Sequence, residues 1–207
     1  MVAPVEGGAT RAVIAAFVCC LALPAVAGAA KTAKKKGAGA VDIAQAVNQA
    51  IPDRPAGMNT PYGLLSSTIT VGKRFKGKLV RDVNVTVQTT GTSATNSAAQ
   101  DLRARLTAPN GVTTTLFGFL APGNTVGPLT LDDESPLFQA NGPAVDPQAL
   151  FSPWAGTAQP VDVLFAMDAG PVRGDWTLRI ADLANGDTNT LVQWRLNVIA
   201  GRAFRTK

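Results

Sequence analysis

The 207-residue sequence contains no histidine. That removes the imidazole base of Ser-His-Asp and Cys-His nucleophile systems and every imidazole metal ligand. Cysteine is nearly as scarce. Cys19 and Cys20 both sit in an apolar N-terminal stretch, so without that stretch the chain has neither disulfides nor thiol chemistry. Aromatic residues make up only 6% of the chain, which leaves little for the stacking platforms that single-stranded nucleic acid requires. Also absent are a glycine-rich phosphate loop behind a strand, a Gly-x-Ser-x-Gly elbow, a Cys-x-x-Cys pair, heptads and internal repeats. Punctuation, by contrast, is plentiful. Twenty Gly and 14 Pro spread along the chain predict many turns and no long helix. The length suits one domain, large enough to bury a core without disulfides.

The formal net charge of +5 is misleading until the charges are located. Lys31, Lys34, Lys35 and Lys36 lie before the body, and Arg202, Arg205 and Lys207 lie after it. Between Val41 and Gly201 there are 11 Lys and Arg against 13 Asp and Glu, so the body is slightly acidic. A nucleic-acid binder spreads basic charge over a folded face, and this chain does not. Nucleic acid is therefore excluded as a partner, and membrane contact falls only to the N-terminal apolar segment and the basic tails. The run Lys73-Arg74-Phe75-Lys76-Gly77-Lys78 reads as a solvated loop beside a strand.

Residues 1–30 read as an export signal. After Arg11, an apolar core runs from Ala12 to Leu23, Pro24 breaks it, and Ala25-Val26-Ala27-Gly28-Ala29-Ala30 offers small-residue cleavage sites. The alternative is an uncleaved anchor, and the lysines that follow favour a cytoplasmic C-terminal side. Its alanine and glycine content and Pro24 make membrane insertion weak, so a cleaved leader is preferred. The alanine-rich leader implies a bacterial protein that is secreted or held in the cell envelope. Residues 31–50 follow as a Lys/Ala/Gly-rich linker with a short helix at Val41-Asp42-Ile43-Ala44-Gln45-Ala46-Val47, stopped at Pro52.

The body alternates with period two. Val83, Val85 and Val87 alternate with polar residues, as do Leu102, Ala104 and Leu106. Pro109-Asn110-Gly111 then predicts a hairpin, returning through the β-branched run Val112 to Phe117. Trp176, Leu178 and Ile180 form one inward face, and Trp194, Leu196 and Val198 another, with Asn185-Gly186-Asp187-Thr188-Asn189 as the turn between. The tryptophans are predicted core anchors. Val161, Val163, Phe165 and Met167 make a further candidate strand. Asn84-Val85-Thr86 matches a glycosylation sequon but falls mid-strand, and is read as chance. Short strands between Gly, Pro and Asn turns indicate an all-β fold, an antiparallel β-sandwich or jelly roll.

Gly174-Asp175-Trp176-Thr177-Leu178-Arg179-Ile180-Ala181-Asp182, then Asn185-Gly186-Asp187-Thr188, then Leu191-Val192-Gln193-Trp194-Arg195-Leu196, resembles the closing signature of the P domain (P/Homo B domain). That domain follows the catalytic domain of proprotein convertases and other subtilisin-like proteases. Ile51-Pro52-Asp53, Asp101-Leu102, Ala108-Pro109-Asn110-Gly111 and Leu131-Asp132-Asp133-Glu134-Ser135 match in order. The resemblance covers about residues 51–201, with a longer Thr/Ser/Ala loop at Thr89 to Ala99 and an insertion at Thr157 to Arg173. It implies a β-sandwich that packs on a protease and supports its folding. The serine-type endopeptidase activity associated with the family belongs to a catalytic domain that this chain lacks, so no catalytic residue and no enzyme activity are expected.

Two oxygen-rich loops are candidate metal sites. Asp132, Asp133 and Glu134 offer adjacent carboxylates, the hard ligands suited to Ca²⁺, and some relatives bind calcium at P-domain loops. The competing reading is a solvated acidic loop. Extended, Asp132 and Asp133 would face opposite ways, which does not suit a glycosidase pair. Asp182, Asn185, Asp187 and Asn189 form the second loop, without EF-hand order, where the competing reading is a turn whose Asp side chains bond nearby amides. No other cofactor is expected. The function expected is an exported, non-catalytic module that binds or stabilises a protein partner. The alternatives are an accessory of a secreted subtilisin-like serine protease acting in trans and a calcium-dependent adhesion module.

Overall fold

In the computed structural model, the residues described are 39–57, 62–95, 97–118, 123–136 and 154–202. The leader, its cysteines, most of the linker and the last residues of the basic tail lie outside them. Among the described residues nine strands follow in order: β1 (Gly39–Ile51), β2 (Gly63–Val71), β3 (Lys78–Thr92), β4 (Leu102–Thr107), β5 (Thr113–Gly118), β6 (Thr125–Leu131), β7 (Trp154–Ala158), β8 (Gly174–Asp182) and β9 (Thr188–Arg202). They form two sheets, β1-β9-β3-β6-β7 and β2-β8-β4-β5. All pairings are antiparallel except β6 with β7. The chain is an all-β sandwich. Among the described residues no helix is long and apolar enough to cross a membrane.

Alternation places the core. Val83, Val85 and Val87 of β3, Leu102, Ala104 and Leu106 of β4, Trp176, Leu178 and Ile180 of β8, and Trp194, Leu196 and Val198 of β9 are all buried in one cluster between the sheets. The tryptophans occupy different sheets, and their polar ends are satisfied. Trp176 Nε1 donates to the Val172 carbonyl at 3.0 Å, and Trp194 Nε1 donates to Ser67 Oγ of the opposite sheet at 2.9 Å. The β4–β5 hairpin turns at Pro109-Asn110-Gly111, where Gly111 adopts φ 85° and Ala108 N–H donates to the Val112 carbonyl at 2.9 Å. A left-handed residue closing a three-residue loop is why glycine stands there.

Two expectations are corrected. The helix predicted at Val41–Val47 is part of β1, and the sandwich begins at Gly39, inside the expected 31–50 linker. Val41 is buried and Ile43 and Val47 are partly buried, every second residue, while the backbone pairs along β9 from Gly39↔Ala200 onward. An edge of a sheet supplies ladder partners that override the local helix preference of alanine and glutamine. The strand predicted at Val161–Met167 is instead a loop ending in a 3-10 turn, Leu164–Met167. Leu164 and Met167 are buried and Phe165 is 64% exposed, a period of three that no strand allows.

One irregularity shapes the end of the molecule. Between β3 and β9, Gln88 pairs with Gln193 but Thr89 pairs with Leu191, so Val192 is an extra residue. Such a bulge reverses which parity of side chains faces inward. Trp194, Leu196 and Val198 are even-numbered and buried; before the bulge, Leu191 and Asn189 are odd-numbered and buried.

Candidate metal centre

Asp182 ends β8 in the same inward parity as Trp176, Leu178 and Ile180, and is 0% exposed. The turn after it returns Asp187 to the same place, 8% exposed, and the bulge turns Asn189 inward beside both. The third carboxylate comes from far away in sequence. After β1, Asp53 crosses the sandwich end and its Oδ2 accepts the Gly186 N–H at 3.0 Å. This crossing demands glycine at position 63, opposite Asp182 in the β2–β8 ladder, because a Cβ there would lie 1.5 Å from the Pro52 carbonyl oxygen. Gly91 of β3 gives room in the same way: a Cβ would stand 2.4 Å from Asn189 Oδ1.

Asp53, Asp182 and Asp187 each bring one carboxylate oxygen within 4.8 Å of the others. The Asp42–Arg195 ion pair lies elsewhere, on β1 and β9, and Arg54, next to Asp53, donates to the Leu183 carbonyl at 3.0 Å. The charges therefore disfavour one another. Burial, opposed in part by Asn189 hydrogen bonding and reinforced by Asp187, pushes the Asp182 carboxyl up to about 6. Burial and the charges of Asp101 and Asp53 also raise Asp187, and burial with Asp53 raises Asp101, which precedes β4.

Asn189 binds the cluster together. Its Nδ2 donates to the Ala98 carbonyl at 2.9 Å, to Asp182 Oδ2 at 3.1 Å and to Asp187 Oδ1 at 3.2 Å. Two hydrogens thus face three acceptors, while Asn189 Oδ1 is buried with no partner. A half-turn of the amide would present that oxygen to the carboxylates instead. It would complete an all-oxygen nest of three carboxylates, one amide and one backbone carbonyl, the donor set that Ca²⁺ favours. An open recess lined by Asp53, Thr92, Ser93, Ala94, Gly186, Asp187 and Thr188 leads to it.

The acidic run 132–134 is used differently. Asp133 Oδ1 and Oδ2 accept the N–H groups of Leu164 and Phe165 at 2.9 and 2.7 Å, capping the 3-10 turn. Asp132 Oδ1 accepts the Glu134 N–H at 2.9 Å in a local turn. A side-chain hydrogen bond joins Asp132 to Glu134 and, with burial, raises the Glu134 carboxyl, while Asp133 turns to the 3-10 turn. Of the second candidate loop, Asp182, Asp187 and Asn189 converge, whereas Asn185 stays exposed in the turn. Asp53 and Asp101 were not anticipated as parts of a site.

No protein-family model matches the chain, and no curated protein does.

Proposed function

We propose that the chain is an exported, non-catalytic β-sandwich module of P-domain type that binds and stabilises a partner protein, with Ca²⁺ holding its turn-rich end. The observation that carries this is the convergence of the exposed Asp53 on the buried Asp182 and Asp187, with the unpartnered Asn189 oxygen beside them. Carboxylates gathered from two separate segments, Asp53 after β1 and Asp182 and Asp187 around the β8–β9 turn, repel unless a cation joins them. Once joined, they tie Asp53 to the β8–β9 turn and make the end of the sandwich a rigid platform. Lack of histidine argues against hydrolysis by this chain itself. The P-domain reading draws support from the signature residues, since Gly174–Asp182 and Thr188–Arg202 form β8 and β9 with both tryptophans inward.

The Ca²⁺ part is tested by calorimetric titration of the chelator-treated protein. Binding of one equivalent is expected; heat indistinguishable from buffer dilution overturns it. Partner binding is tested by cross-linking in the native culture medium, and capture of a secreted subtilisin-like protease would select the accessory reading over the general one.

A further inference from the structure

On the opposite face of β8, the outer surface of the four-stranded sheet carries an arginine cluster. Arg179 of β8 stands directly across from Arg105 of β4, and Arg103 follows two residues along on the same side. Like charges directly opposite in a ladder oppose folding. Nothing on the sheet relieves them: among the described residues, Arg105 and Arg179 have neither a hydrogen bond nor an ion pair. The nearby acids are otherwise engaged. Asp175, at the far end of β8, accepts the Thr70 hydroxyl at 2.6 Å, and Asp162, beside β5, accepts the Thr115 N–H at 3.0 Å. The arginines line a recess of about 460 Å³ together with Tyr62 and Leu64, which are 54% and 52% exposed.

We infer that this face docks a short acidic, extended segment of a protein partner. Guanidinium groups present paired N–H donors that match carboxylates, and the exposed Tyr62 and Leu64 offer apolar contact to an intervening side chain. The occupant is short because the basic cluster is confined to three arginines on one sheet face, too few phosphate partners to hold a long polyanion such as nucleic acid. This inference rests on reading the chain as a binding module and names its partner's chemistry.

The test uses fluorescence anisotropy with a labelled peptide of alternating glutamate and leucine, a glutamine-for-glutamate control, and a single-stranded oligonucleotide of equal charge. The glutamate peptide is expected to bind at least about tenfold more tightly than the control, and to weaken as salt rises. The R105Q/R179Q variant is expected to weaken it by at least about tenfold. Because that variant removes opposed like charges, its melting temperature should equal or exceed the parent's, so lost binding cannot be lost folding. Equal binding of the two peptides, or an unchanged affinity in the variant, overturns the proposal. Tighter binding of the oligonucleotide through the same arginines overturns the partner class. Calcium titration reads the inner face of β8, so the two proposals fail separately.

Discussion

Replacing Asp182 by Asn separates a carboxylate that repels its neighbours from one that awaits a cation. The side chain keeps its shape and its Oδ1 acceptor for the Ala184 N–H, 3.3 Å away; its new NH2 replaces the Oδ2 that accepts from Asn189, and a half-turn of the Asn189 amide brings the unpartnered Oδ1 to it. Without calcium at pH 7, the native protein holds Asp182 ionised although burial has lifted its carboxyl from 3.8 to about 6. That difference of about two units sets an upper limit of about 3 kcal/mol on what neutralisation recovers. In chelator, D182N should therefore melt at or above the parent's temperature. With calcium the order changes. A ligand at about 100 times its Kd stabilises by about 2.7 kcal/mol, which for a domain of this size raises Tm by about 5–11 °C. D182N, lacking one of three carboxylates, should respond by less than about 2 °C. Differential scanning calorimetry in chelator and in about 10 mM CaCl₂, above the weakest extracellular sites, reads all four values. The reasoning is refuted if parent and variant shift equally, or if the variant in chelator is destabilised by more than about 1 kcal/mol.

Further outcomes follow from the same structure. Without calcium, the folded state binds more protons than the unfolded chain between pH 3.8 and about 6, because Asp182 is raised; stability should fall as pH rises through that window, checked by urea melts at stepped pH, and added calcium should abolish the fall. Asp133→Ala leaves the Leu164 and Phe165 amides without their acceptor and should cost about 1–3 kcal/mol in urea melts while leaving the calcium response intact. Gly91→Ala forces a methyl against Asn189 Oδ1 and the Thr188 carbonyl at 2.4 and 2.6 Å, and should cost about 1–3 kcal/mol and weaken calcium binding in titration calorimetry. Trp176→Ala and Trp194→Ala should each lose about 3–5 kcal/mol in chemical denaturation, and a loss below about 1 kcal/mol at both would mean the buried faces are misassigned.

The sandwich was legible because its signal is repetitive: valines in β3, leucines in β4 and tryptophan-led faces in β8 and β9 each alternate long enough to declare a buried side. Where the signal is short, tertiary pairing decides. Val41–Val47 contains good helix formers, yet the open edge of β9 claims it as a strand. Val161, Val163, Phe165 and Met167 look alternate, but Val163 and Phe165 are exposed while Leu164, of the other parity, is buried with Met167. The carboxylate cluster was half visible. Asp182 continues the parity of Trp176, Leu178 and Ile180, a carboxylate in a series of core positions, which is a detectable anomaly. Asp187 was placed in the right loop. Asn189 was placed in the same loop, but its burial was hidden because extending the Trp194 parity backwards turns it outward, and no residue type announces the bulge at Val192. Asp53 was hidden because only the fold brings it to Gly186, 133 residues later.

That single surplus residue in β9 has an evolutionary reading. Removing Val192 would restore strict alternation, swing Asn189 to the surface and leave the carboxylates without the amide that gathers them, yet no ligand would have been mutated. A lineage could thus acquire or shed the proposed cation site through one codon inserted or deleted in a strand whose sequence otherwise looks ordinary. Surveys that score only the acidic positions would miss the change; strand length between Asp187 and Trp194 is the character to compare.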